Sequence, residues 1–499
     1  MSGWGAGYVT DVTYIPGYYR QQSPAHLDMI ARLSGIAFHL PEDFTWVELG
    51  CGVGFGAAII AAANPRATVV GIDFNPAHIA DARALAEEAG LPNLRFLEAD
   101  LSTLADSAAV KDVPEADIVT MHGVWSWVPE AVQQGIVRLL AARVRPGGLV
   151  HLSYNALPTW QGGLAYQRLI REAGLRLAQR SDQQVQAGVE VMLALREAKA
   201  THLSGELAVA MAEKATRMPV AYLAHEFMNA SWRPCFFADV AAALAPAKLD
   251  FAGSALAIEQ FPDLVMSEAQ RAVYERFDDT TMRETVKDCC LGRALRQDVF
   301  VRGARRLDRA ARDAALMDVG LGLVVTADEF AFEAEMPAGH ASFSPDFYRP
   351  IAEALAARPR TVRELLAMPE AKGRKDNPAE IAGVLVGTDQ AIPLLRPGAA
   401  QTPQAVALNA ALARRVVGPA QIGRGFAMCS HAIGGGVGAA VPEMHVAERL
   451  LAGEGREAIP AWTAALDPGG NEQRTTEIAE GLAEILDRRV PLWHALGVM

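Results

Sequence analysis

Three acidic residues each close a short apolar run: Glu48 in Thr45-Trp46-Val47-Glu48-Leu49, Asp73 after Thr68-Val69-Val70-Gly71-Ile72, and Asp100 soon after Leu94-Arg95-Phe96-Leu97. The first run passes into Gly50-Cys51-Gly52-Val53-Gly54-Phe55-Gly56 and then an alanine-rich stretch from Ala57 to Ala63. That order reads as a strand, a glycine turn and a helix. Glycines there let the backbone close on a ligand that a Cβ would hold off, and the helix start offers unpaired N–H groups. A carboxylate roughly twenty residues past the first glycine can accept from both hydroxyls of a ribose, and it repels a 2′-phosphate. Asp100 can accept from an adenine amino group.

The glycine loop alone leaves the ligand open, because Gly52, Gly54 and Ala57 also satisfy the dinucleotide form G-x-G-x-x-A. Glu48 narrows the choice. An anion at the strand end opposes a pyrophosphate but suits a ligand carrying an ammonium group, as S-adenosyl-L-methionine does. A fourth strand is expected over Asp117-Ile118-Val119-Thr120-Met121-His122, and a fifth over Leu149 to Tyr154 after the turn Arg145-Pro146-Gly147-Gly148. Ligands of open α/β sheets sit at the strand C-termini, where these acids would meet.

Taken together, E-L-G-C-G-V-G-F-G, the acid after the second strand, A-D-L after the third and R-P-G-G before the fifth resemble a class I S-adenosylmethionine-dependent methyltransferase. The resemblance implies an α/β Rossmann-like sheet. It places the cofactor against Glu48, Gly50, Gly52, Gly54, Asp73, Phe74, Asp100, Leu101 and His122. Two aromatic loops follow, His122-Gly123-Val124-Trp125-Ser126-Trp127-Val128-Pro129 and Tyr154-Asn155-Ala156-Leu157-Pro158-Thr159-Trp160. They resemble methyltransferases with a methyltransferase regulatory domain, a family that includes protein-lysine methyltransferases acting on bacterial outer-membrane proteins. That likeness continues through Tyr222-Leu223-Ala224-His225-Glu226-Phe227 to Arg296–Gly303.

The reacting groups are expected among His122, Trp125, Trp127, Tyr154 and His225. Trp125, Trp127, Tyr154 and Trp160 can form a π-rich wall that desolvates a cationic acceptor. An oxygen acceptor would instead need a base, and His122 or His225 would serve. The expected acceptor is a lysine of a protein, with a small molecule or glycan, or a silent cofactor-binding sensor, as alternatives. The zinc pattern H-E-x-x-H fails at Asn229, and no metal is expected.

The elements that must carry these residues divide the chain into a cofactor-binding core over 1–163, a helical insertion and regulatory region over 164–305, and a mainly helical, winged-helix-like C-terminal domain over 306–499. Leu249 to Ala255 and Val299 to Val301 are apolar and β-prone enough to be the two strands missing from the core sheet. Ser23-Pro24 starts a helix with Leu27, Ile30, Leu33 and Ile36 on one face, and Tyr14, Tyr18 and Tyr19 before it can wall the acceptor pocket. Leu321 to Thr326 and Glu329 to Glu333 read as a hairpin, Pro337-Ala338-Gly339 as a linker, and Gly434 to Gly438 as a flexible loop.

At 499 residues the chain exceeds a single core. Hydrophobic content of 51% and charged content of 21% are those of a globular protein. A net charge of −12 argues against nucleic acid as partner. Five cysteines without a C-x-x-C pair suggest reduced thiols. With no basic or apolar leader in Met1 to Asp11, a cytoplasmic location is expected. The charge-free stretch from Gly425 to Val441 is too glycine-rich to be embedded in a membrane. The helical insertion is long enough for a lid or a homodimer contact.

Overall fold

The computed structural model describes the whole chain except residues 1–4, 6, 13–16, 204–209, 211–212, 214, 372–376, 417–425 and 468, so Tyr14 and Gly425 lie outside the described residues. Seven strands form one mixed sheet: β1 (Thr45–Leu49), β2 (Thr68–Asp73), β3 (Leu94–Glu98), β4 (Ala116–Met121), β5 (Val144–Asn155), β6 (Leu249–Ser254) and β7 (Leu295–Arg302). Their order is β3-β2-β1-β4-β5-β7-β6. The first five run parallel, and β7 is antiparallel to both β5 and β6. The order reverses between β1 and β4, so a crevice opens there at the strand C-termini.

Strand parity gives the sheet two different faces. On one, Val47, Leu49, Val119, Met121, Val150, Leu152 and Phe300 form a continuous apolar core. The other starts apolar with Trp46, Ile118, Leu149 and Val301. One register step toward the C-terminal ends it becomes polar, where Glu48, Thr120 and His151 stand side by side. Helix α1 (Pro24–Leu33) covers this second face, capped by Ser23, whose hydroxyl accepts from His26 N–H at 3.4 Å. Helix α2 (Phe55–Ala63) leaves the glycine turn, and α3 (Pro76–Glu88) follows β2.

After β5 the chain leaves the sheet for two long helices, Gly163–Leu177 and Ser181–Glu197, before β6 and β7 complete it. Val185 and Val189 are buried, with Leu169, Leu175 and Leu193 packed against them. The C-terminal region docks onto the end of α2. Thr402 Oγ1 donates to Ala62 O (3.2 Å), His431 Nδ1 pairs with Ala63 O (2.8 Å), and Asn64 Nδ2 donates to Gly434 O (3.0 Å). The first two take up carbonyls that a helix end leaves unpaired.

Three expectations for this region are corrected. Gly320–Leu323 pairs with Arg360–Thr361 and Ala391–Leu394 rather than with the segment that follows it. The local hairpin is Glu333–Met336 with Gly339–Ser342, so of the supposed linker Pro337-Ala338-Gly339 the first two residues are its turn and Gly339 opens its second strand. Gly435–Ala439 is a buried strand paired with Phe426–Ser430. Glycines serve there for close approach and not for flexibility: a Cβ on Gly436 would lie 3.1 Å from Ile59 of α2. Among the described residues no helix is long and apolar enough to cross a membrane.

Candidate active site

A cavity of about 960 Å³ opens at the switch point, lined by the tips of β1 to β4 and by the N-terminal segment. Glu48, Gly50, Gly52, Asp73, Phe74, Asp100, Leu101 and His122 all line it. Gly54 does not. It starts α2 at φ +75°, and a Cβ there would strike Phe96 and Ala82, so it permits the helix to pack on the sheet. Gly52, at φ +53°, is the opposite case: a Cβ would meet nothing within 4 Å and would project into open space.

The carboxylates are arranged by the turn itself. Asp73 Oδ2 accepts from Gly52 N–H and Oδ1 from Asn75 N–H, each at 2.9 Å, which fixes the glycine loop against the end of β2. His78 on α3 stands 3.5 Å from Oδ1. Asp100 Oδ1 accepts from Ser102 N–H at 2.8 Å. Glu48 is buried and its Oε2 has no partner. Burial, aided by Asp73, pushes its carboxyl up to about 8. A buried carboxyl of this kind at a cavity wall is ready to be ionised by a cation. Glu98 lines the cavity as well, and among the described residues no lysine or arginine does.

The N-terminal segment forms the remaining wall. Tyr19 stacks on His122 with ring centroids 3.6 Å apart, and Tyr8 meets Phe74 edge-on at 5.8 Å. Tyr18 turns away and its hydroxyl accepts from Gly436 N–H at 2.7 Å, while Arg20 pairs with Asp389. Tyr8, Gln22, Cys51 and His78 were not picked out from sequence. Only His78 carried a signal, through its position on the helix behind the ribose acid. Burial holds His122 down at about 3.

The aromatic loops contribute less than their composition suggests. Trp127 lines the cavity, but Trp125, Tyr154 and His225 do not. Trp125 is buried in the core of the opposite sheet face. Tyr154 shares the parity of Val150 and Leu152, so it points into that same core. Its hydroxyl donates to Asp298 Oδ2 at 2.7 Å, where Arg296 links Asp298, Asp288 and Glu284. Trp160 is buried and donates to Ala294 O at 2.8 Å. His225 pairs through Nε2 with Val12 O at 2.8 Å and lies behind Tyr8, their ring centroids 5.5 Å apart.

The open space at Gly52, the unpartnered oxygen of Glu48 and the anchored Asp73 fit a cationic nucleoside. Comparisons with known proteins agree. Residues 47–148 match a methyltransferase domain family, and residues 219–302 a family described as a predicted methyltransferase regulatory domain. An uncharacterized Synechocystis protein, sll1526, is 32% identical over 372 residues, covering 74% of this chain and 73% of its own. Trans-aconitate 2-methyltransferase of Azoarcus is 29% identical over 130 residues, 26% of this chain and 44% of that one. The structure of PKMT2 from Rickettsia typhi in complex with AdoHcy shares the fold over 97% of this chain and 99% of that one, with a TM-score of 0.73 and 16% identity. The chain belongs to the class I S-adenosylmethionine-dependent methyltransferases that carry a methyltransferase regulatory domain.

Proposed function

We propose that this methyltransferase modifies lysine side chains of a protein. The observation that carries the reading is the charge of the cavity: Glu48, Asp73, Glu98 and Asp100 line it with no lysine or arginine among the described lining residues. Such a wall attracts a cationic side chain and opposes a polyanion such as trans-aconitate. The likeness over the full length to PKMT2, a protein-lysine methyltransferase by name, supports the same reading.

S-adenosylmethionine supplies a methyl group already activated on a sulfonium, with no metal needed. Glu48 would hold its ammonium end, Asp73 its ribose and Asp100 its adenine. Gly50 and Gly52 would let the backbone come close, and Phe74 and Leu101, which line the cavity, would flank the base. What remains for the protein is to hold the acceptor in line and to let it be neutral. With a reference pKa near 10.4, a neutral lysine at pH 7 costs about 4 to 5 kcal/mol. Trp127 and the stacked pair Tyr19–His122 lower that cost by desolvating the ammonium. His122, held near 3, is too weak a base to activate a hydroxyl, and His225 lies outside the cavity, which disfavours an oxygen acceptor.

Incubation with methyl-labelled cofactor and a fractionated lysate tests the proposal. Label should enter protein and be recovered as methyllysine after acid hydrolysis. Label found only in glycan or small molecules refutes it.

A further inference from the structure

The polar row on the second face of the sheet is only partly paired, Glu48 accepting from Ala57 N–H. Glu48, Thr120 and His151 are neighbours across β1, β4 and β5. His122 lies parallel to His151 with ring centroids 6.2 Å apart. From β7, Gln297 approaches His151, and from α1, His26 does. Seven buried polar atoms of these six residues lack a partner in hydrogen-bond geometry: Glu48 Oε2, Thr120 Oγ1, His122 Nδ1, His26 Nδ1, Gln297 Oε1 and both ring nitrogens of His151.

Buried polar groups are almost always satisfied, by protein or by ordered water. One orphan can be tolerated, whereas seven in one contiguous region imply something between them. Protein groups close off the edges: His26 Nε2 pairs with Ala255 O at 2.6 Å, and Gly123 N–H donates to Ser153 Oγ at 2.8 Å. Water suits the site because each molecule typically joins about three polar groups, so on the order of two or three would satisfy the set.

We propose that the sheet face behind the cavity encloses a water-filled chamber, centred on His151 and joined to the cavity at Glu48 and His122, which receives the proton that an amine acceptor sheds before it is methylated. The existence of the chamber is independent of the acceptor; its use rests on the lysine reading above. In the proton step an N–H bond of the acceptor ammonium breaks and its electron pair stays on nitrogen. The proton passes to water at the mouth of the chamber, and the water string delivers one to the carboxylate of Glu48. The array ends with a neutral carboxylic acid and a neutral amine, and charge balances. Asp73 and Cys51 are the other ionisable groups against Glu48, and burial keeps the Cys51 thiol protonated. His151 is a positioning residue, since it holds the water and touches neither acceptor nor cofactor.

A crystal structure of the protein with S-adenosylhomocysteine, at a resolution that shows ordered water, tests the first half. Two or three waters should bond Glu48, Thr120, His151 and Gln297; a dry or collapsed chamber overturns it. For the second half, His151→Gln should keep the water and most of the activity. His151→Leu should lose the water, lower kcat at least tenfold at unchanged KM, and move the pH profile of lysine methylation upward. Thr120→Val offers the same comparison with less disturbance to packing. Variants that have lost the water but keep the wild-type kcat and pH profile overturn the proton role. If wild-type protein methylates no lysine, the functional proposal fails while the water experiment still decides the chamber.

Discussion

The glycine–acid edge and the aromatic loops are adjacent in space, and both are rich in residues that could do chemistry. Nearly all of the first set lines the cavity, but of the four aromatics in the second only Trp127 does. The difference is one of alternatives. A carboxylate at a strand tip is poorly satisfied in an apolar core, so its presence there requires a partner. A tryptophan or tyrosine gains as much by completing a core as by facing a ligand. Trp125 and Tyr154 took the core, and the composition of a loop could not reveal it.

This contrast can be broken most forcefully at Trp125. Trp125→Ala should cost about 3 to 5 kcal/mol in urea unfolding, with cofactor affinity of the folded fraction unchanged; a large loss of affinity at unchanged stability would move Trp125 into the site. Asp73→Ala should weaken cofactor binding roughly 100-fold by calorimetry, because it removes charged acceptors from the ribose and frees the glycine loop. Glu48 predicts a pH dependence. Free protein holds a proton on this carboxyl below about 8, and a cation favours the ionised form. Binding should therefore tighten as pH rises toward that value, by up to about tenfold per unit, and level off above it. Glu48→Gln should flatten the slope; an unchanged slope would place the titrating group elsewhere. The smallest effect belongs to Trp127→Ala, about threefold to fivefold on acceptor KM with unfolding barely changed.

The sheet was legible because its strands carry long apolar runs and its turns carry glycine at fixed offsets. Even the distant β6 and β7 were visible as short β-prone segments, as Val299 and Phe300 are buried on both faces. Tyr154 was half legible, since its parity with Leu152 already pointed it into the core. Tyr8 was not, because nothing in a glycine-rich N-terminus fixes its path beside Phe74. In the C-terminal region Gly435–Ala439 escaped notice. Its glycines are selected for contact with Ile59 and Tyr18 and not for strand propensity, which tertiary packing overrode.

Strand β5 is the longest in the sheet, and β7, its partner on one side, begins 140 residues after β5 ends (295 − 155 = 140). During synthesis the cofactor half therefore waits, with the backbone groups along the Leu149–Asn155 edge unpaired, until the chain beyond Arg302 has emerged. Fragments cut in the intervening helices would expose that edge to self-association, so the nucleotide crevice and the segment that seals its sheet are inherited as a unit.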